Sequence, residues 1–149
     1  MFHTKPELLS AVTEDIAAGE PNPLPVGMRP WHEEALSTLD GRRSLALVVE
    51  NGVDIYSRVA PLAHAIREAS LVDSDVDAMW SQISVRRKAA MGQQILALRE
   101  HGQLRRDLDT SRATDILHAL LSHETYLDLV QRSGWGVEQF KAWLYEALC

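Results

Sequence analysis

Cysteine is nearly absent: the one example in 149 residues is Cys149, the last of them. This excludes an internal disulfide framework and a cysteine zinc cluster. Long apolar runs are missing too. No stretch approaches the roughly 18 uninterrupted apolar residues of a membrane span. Met1 to Ala11 mixes polar and apolar residues, where a signal peptide would set a basic start before an apolar block. A cytoplasmic location is the expectation that follows. There is no Gly-rich phosphate loop after a strand, no Gly-x-Ser-x-Gly elbow and no cysteine beside a base, so the usual signatures of catalysis are lacking. Positive charge is also in short supply. With 15 basic against 21 acidic residues the formal net charge is −6, the wrong sign for a surface that holds nucleic-acid phosphates. The local basic runs, Arg86-Arg87-Lys88 and Arg105-Arg106, read as solvated helix faces.

What is present is a globular composition, 46% apolar and 24% charged, in a chain long enough for one domain with its own core. Periodicity makes that domain all-α. Thr4-Lys5-Pro6-Glu7 is a capping box with proline in the first turn, and it opens a helix to about Ala18 with the stripe Leu8, Leu9, Val12 and Ile16. Residues 19–30 carry Pro21, Pro23, Pro25 and Pro30 and form an extended connector. Central helices fill 31–108. A short one covers Trp31 to Leu39, and a longer one starts near Ser44. Within it Asn51-Gly52 is a strong hairpin signal, but Leu45, Val48, Val49, Gly52, Ile55, Tyr56 and Val59 keep helical spacing straight through the pair. Pro61 kinks or restarts that helix. Ser74-Asp75-Val76-Asp77 reads as a second capping box, opening a helix to about Glu100 with the stripe Val76, Met79, Trp80, Ile83, Met91, Ile95 and Leu98.

Residues 109–149 read as two amphipathic helices separated by a glycine break. In the first, Ala113, Ile116, Leu117, Leu120, Leu121 and Leu127 share a face, while Tyr126, Leu129 and Val130 point elsewhere. In the second, Val137, Phe140, Leu144 and Leu148 form a stripe with Trp143 off it. Surplus apolar surface of this kind fits a helix-pair dimer interface. Periodicity alone equally allows both helices to pack inside a monomer.

The run His101-Gly102-Gln103-Leu104-Arg105, Asp107-Leu108-Asp109, Ala113-Thr114-Asp115-Ile116-Leu117, Ala119-Leu120, Tyr126, Leu129-Val130, Gly134-Trp135 and Trp143-Leu144 resembles the C-terminal half of tetracycline-repressor (TetR) family regulators. Arg29-Pro30-Trp31, Arg58-Val59-Ala60-Pro61-Leu62 and Ile66-Arg67-Glu68-Ala69 agree. Met1 to Leu9 looks like the turn that follows the family's recognition helix and opens its fourth helix. The resemblance covers essentially the whole chain, with one departure: the helix-turn-helix would lie before Met1. Operator DNA is then reached only through an N-terminal domain outside this sequence.

The resemblance implies an effector-binding and dimerisation domain: a homodimer through a four-helix bundle of the last two helices of each subunit, and a pocket for an apolar or amphipathic small molecule, without a cofactor. The pocket is expected where Tyr56, Val59, Leu62, His64 and Ile66 meet Met79, Trp80, Ile83, Met91 and Ile95 and the inner face of Leu117 and Leu121. Tyr56 and His64 are the candidate polar anchors, whereas Met79, Trp80 and Met91, each taken singly, read as ordinary core before ligand contact, as His64 reads as a satisfied core histidine. The interface is expected at Leu120, His123, Tyr126, Leu127, Val130, Phe140, Trp143 and Leu144. His118, His123 and Glu124 invite a metal reading, but a five-residue step on one helix turns the two imidazoles apart. Asp73, Asp75 and Asp77 fit a helix start, without calcium-loop spacing. Two alternatives remain: a dimerisation or scaffold module without a ligand, and a helical-bundle protein that acts on a small molecule.

Overall fold

In the structure, a computed structural model describing residues 1, 3–19 and 24–149, every regular element is a helix and no strand occurs among the described residues. Phe2, Pro21 and Pro23, which entered the sequence reading, lie outside them. No helix is long and apolar enough to cross a membrane, again among the described residues.

Helix α1 spans Lys5–Ala18 for local reasons. The Glu7 N–H donates to Thr4 Oγ1 at 3.3 Å and the Thr4 N–H donates back to Glu7 Oε2 at 3.2 Å, so two otherwise orphaned donors are satisfied. Gly19 ends the helix at φ 71°, a left-handed conformation suited to glycine. The carbonyls left at that end are taken by arginines from elsewhere. Arg58 donates to Ala17 O at 2.7 Å, and Arg29 to Ala18 O at 3.2 Å. The expected α1 stripe is only half inward: Leu9 and Ile16 are partly buried, whereas Leu8 is 46% exposed and Val12 37%.

A 3-10 turn at Val26–Met28 leads to α2, Pro30–Ser37, and then to α3, Gly41–Ser70. Asp40 caps α3 by accepting from the Arg42 and Arg43 N–H groups at 3.0 and 3.2 Å. The helix passes unbroken through both of its suspect positions. Asn51 donates its side-chain amide to Leu47 O at 2.8 Å, one turn back. At Gly52 the missing side chain is used, because a Cβ there would lie 3.0 Å from Leu121 Cδ2. Pro61 sits on an exposed face of a single continuous helix, so the expected restart does not occur. α4 runs Ser74–Glu100, and its cap is Asp73, one residue before the expected Ser74. The Asp73 carboxylate accepts from Asp75 N–H at 3.1 Å and Val76 N–H at 3.2 Å.

The terminal region corrects the sequence reading more deeply. The chain forms α5 over Thr110–Leu120, breaks at Leu121-Ser122, and restarts as α6 over His123–Tyr126. Ser122 caps the restart by accepting from the Thr125 N–H at 3.1 Å. α6 runs into a π-helical turn, Leu127–Arg132, and after Gly134 at φ 76° the chain enters α7, Val137–Leu148.

Helix α3 is the axis of the packing, in contact with α1, α2, α4, α6 and α7. The main core gathers Val48, Val53, Tyr56, Val59, Met91, Ile95, Leu117, Leu121, Tyr126, Phe140 and Leu144, and a smaller cluster forms around Ile66, Val76 and Met79. α7 is fastened to α3 by charge as well as by apolar contact. The Lys141 ammonium lies 2.6 Å from Glu50 Oε1 and 2.8 Å from Asp54 Oδ1. Burial pushes its pKa down, but hydrogen bonds to Asp54 and Glu50 win and carry it above the ordinary lysine range.

Candidate functional site

A cavity of about 520 Å³ opens where the two core clusters meet. Six parts of the chain wall it: α1 at Thr13 and Ala17, the Val26-Gly27 turn, α2 at Trp31 and His32, α3 from Val48 to Ile66, α4 from Trp80 to Gln94, and the α5–α6 break at Leu117, Leu121 and His123. The lining is chiefly apolar, and the size falls within the usual range for small-molecule sites.

The sequence-derived pocket residues divide. Tyr56, Val59, Ile66, Trp80, Ile83, Met91, Leu117 and Leu121 all line the cavity. Leu62 and Met79 pack into the smaller cluster, and Ile95 is buried core that borders a separate cavity of about 530 Å³ beside Leu98 and Leu104. His64 is exposed on α3, which corrects the expectation of a buried imidazole there.

The interface residues divide as well. Phe140 and Leu144 are wholly enclosed within the subunit, and Tyr126, Leu127 and His123 are buried with them. Tyr126 meets Phe140 edge-on with ring centroids 5.6 Å apart. The surplus surface read from Tyr126 is therefore internal to the chain. Leu120, Val130 and Trp143 keep partial exposure, and Trp143 stands edge-on to Trp135 at 5.9 Å.

Polar groups in this mostly apolar cavity concentrate around Arg87. Its guanidinium donates to His123 Nδ1 at 3.0 Å and to His118 Nε2 at 3.2 Å, with its carbon 5.6 Å from the centroid of the Tyr56 ring. Arginine can only donate, so both of those ring nitrogens must be unprotonated acceptors. Burial, followed by the charges of Arg87 and Lys88, holds the His118 pKa below its ordinary value. Burial likewise raises Tyr56, with Arg87 opposing. His123 Nε2 lies 3.1 Å from Glu124 Oε1, and this contact, against the opposing effect of burial, holds the Glu124 carboxyl down at about 2. On the far side of Trp80, Ile83, Arg87 and His123 lies a smaller and more polar pocket of about 310 Å³, bordered by Ser84, His118, Ser122, Glu124 and Thr125.

Four buried side-chain polar atoms have no hydrogen-bond partner among the described residues: His32 Nδ1, Arg87 Nε, Arg99 Nε and His123 Nε2. All but Arg99 Nε belong to residues lining the main cavity. Orphaned buried polar atoms are costly and scarce in folded proteins.

The sequence reading missed Arg87, which it assigned to a solvated face, and placed His123 at an interface. A signal for Arg87 was present. The α4 stripe has a gap between Ile83 and Met91, and Arg87 stands four residues from each, on the inward face. The histidine pair was misjudged because the five-residue argument assumed one uninterrupted helix. With the break at Leu121-Ser122, both rings reach the same guanidinium. Among the described residues no group of three or more His, Cys, Asp or Glu is placed to hold a metal.

Comparison with known proteins adds no identification. No family model, curated protein or solved structure matches the chain.

Proposed function

We propose that the chain is the non-catalytic effector-binding and dimerisation domain of a TetR-type transcriptional regulator, sensing a small molecule of apolar or amphipathic character. The observation that carries this reading is the cavity of about 520 Å³ at the centre of the helices, apolar over most of its wall and bordered by residues with unpaired buried polar atoms. A scaffold module would gain stability by closing such a space, since unfilled volume forfeits packing.

Two further features support it. α1 lines the cavity through Thr13 and Ala17, and it is the helix that the resemblance makes the link to a DNA-binding domain. Its Leu8 and Val12 remain exposed, as contact with another domain would require. Occupation of the cavity is then coupled to the position of α1, and a ligand releases DNA only insofar as it binds the non-DNA arrangement more tightly. Dimerisation would use the outer faces of the terminal helices, where Ile116 is 40% exposed and Leu120, Val130 and Trp143 are half-buried.

Native mass spectrometry of the purified chain tests both halves of the reading at once. A dimer carrying an adduct of a few hundred daltons is the expected result. A monomer without adduct, also after incubation with apolar small molecules, overturns it.

A further inference from the structure

The main cavity is electrostatically one-sided. Among the described residues no aspartate or glutamate lines it, whereas Arg86, Arg87, His32 and His123 do, in a chain where acidic residues outnumber basic ones by 21 to 15. Arg87 is the half-buried member, and it lacks the partner a half-buried guanidinium ordinarily has. Among the described residues no carboxylate forms an ion pair with it, and the nearby Glu124 carboxylate lies against His123 instead. Two imidazoles, through unprotonated ring nitrogens, accept one N–H from each terminal nitrogen. The Nε–H has no acceptor among the described residues but is shut off within the fold, so the donors left for a bound molecule are the second N–H of each terminal nitrogen. A guanidinium held in this way on one side keeps donors for a planar anion on the other, the geometry in which arginine binds carboxylates through paired hydrogen bonds. Removing the charge from water without such an anion is costly.

We infer that the cavity takes an amphipathic monocarboxylic acid, with its carboxylate on Arg87 and its aliphatic or aromatic body among Val48, Ile55, Val59, Met91, Leu117 and Leu121. Set against roughly 30 Å³ for one water in the liquid, a cavity of about 520 Å³ has the volume of about 17 waters, on the scale of a medium-chain acid. His118 and His123 are positioning residues: they fix the direction of the guanidinium from the side of the polar pocket. This assignment rests on the effector-cavity reading and sharpens it.

The test uses decanoate and 1-decanol, equal in chain length and different in charge, titrated into the full chain at neutral pH below the micellar range and followed by calorimetry. Decanoate is expected to bind at least about tenfold more tightly than decanol, a gap in keeping with charge-assisted hydrogen bonds. Arg87→Gln should bring the two within about twofold, chiefly by weakening the binding of decanoate. Arg87→Lys, which keeps the charge and loses the fork, should retain only part of the preference, and circular dichroism of both variants verifies the helical fold. Equal binding of acid and alcohol to the wild type overturns the carboxylate assignment and leaves the apolar cavity reading standing. A preference that survives Arg87→Gln overturns the role of Arg87. Binding of neither probe overturns the inference together with the reading it rests on.

Discussion

Replacing Phe140 by alanine separates two meanings of an apolar terminal helix. The resemblance puts Phe140 at a dimer interface, but in the fold its side chain is 0% exposed, edge-on to Tyr126 at 5.6 Å and tilted against Trp143 at 5.7 Å. Phe140→Ala therefore opens a cavity inside the subunit, at a cost of about 3–5 kcal/mol. Set against a typical total of about 5–15 kcal/mol, this is a large share of the stability. For a domain of this size it lowers Tm by about 6–20 °C. Urea unfolding at two protein concentrations about tenfold apart is the assay. The difference from wild type should be the same at both, because the lost contacts lie within one chain. Trp143→Ala, at a partly exposed position, should cost less in folding and, on the proposed dimer, weaken association. A Phe140→Ala protein that keeps its unfolding midpoint but sediments as a monomer would refute the burial argument and return Phe140 to the interface.

Three other outcomes are expected. Ser122→Ala removes the acceptor for the Thr125 N–H at 3.1 Å and should cost about 1 kcal/mol in urea unfolding. No loss would mean that Leu121 packing alone sets the break. Gly41→Ala places a Cβ 2.7 Å from that of Gln103. Because Gln103 also accepts the Gly41 N–H at 3.2 Å, a loss of about 1–3 kcal/mol is expected, and an unchanged midpoint would show that the connector moves freely. The His118 pKa is depressed in the fold by burial and by Arg87, so the unfolded chain takes the proton first. Its stability contribution is complete above about 6.5 and is lost as the pH falls below that, with His32, lowered by burial, acting in the same direction. Unfolding midpoints between pH 7.5 and 5 should slope downwards, and less steeply in His118→Asn. An identical slope in that variant rules His118 out.

Sequence by itself determined whatever depends on neighbours within a turn or two. The capping box at Thr4, the close of α1 at Gly19, the full extent of α4 and the passage of α3 through Asn51-Gly52 all follow from short-range hydrogen bonds and helical spacing. Eight of the pocket residues were legible for the same reason, since an inward stripe is a local property. Tertiary structure decided the rest. The break at Leu121-Ser122 has a local signal that the reading of one continuous apolar stripe passed over, Ser122 followed by Glu124 and Thr125 in a first turn. The break let Leu121 settle against Gly52 and swung His123 beside Arg87, 36 residues earlier in the chain. Which side of a doubly apolar helix faces inward, as at Phe140 and Trp143, is likewise set by what lies opposite. Periodicity gives a side chain its direction around its own helix, while its surroundings come from other helices, and the charge of the cavity belongs to those surroundings.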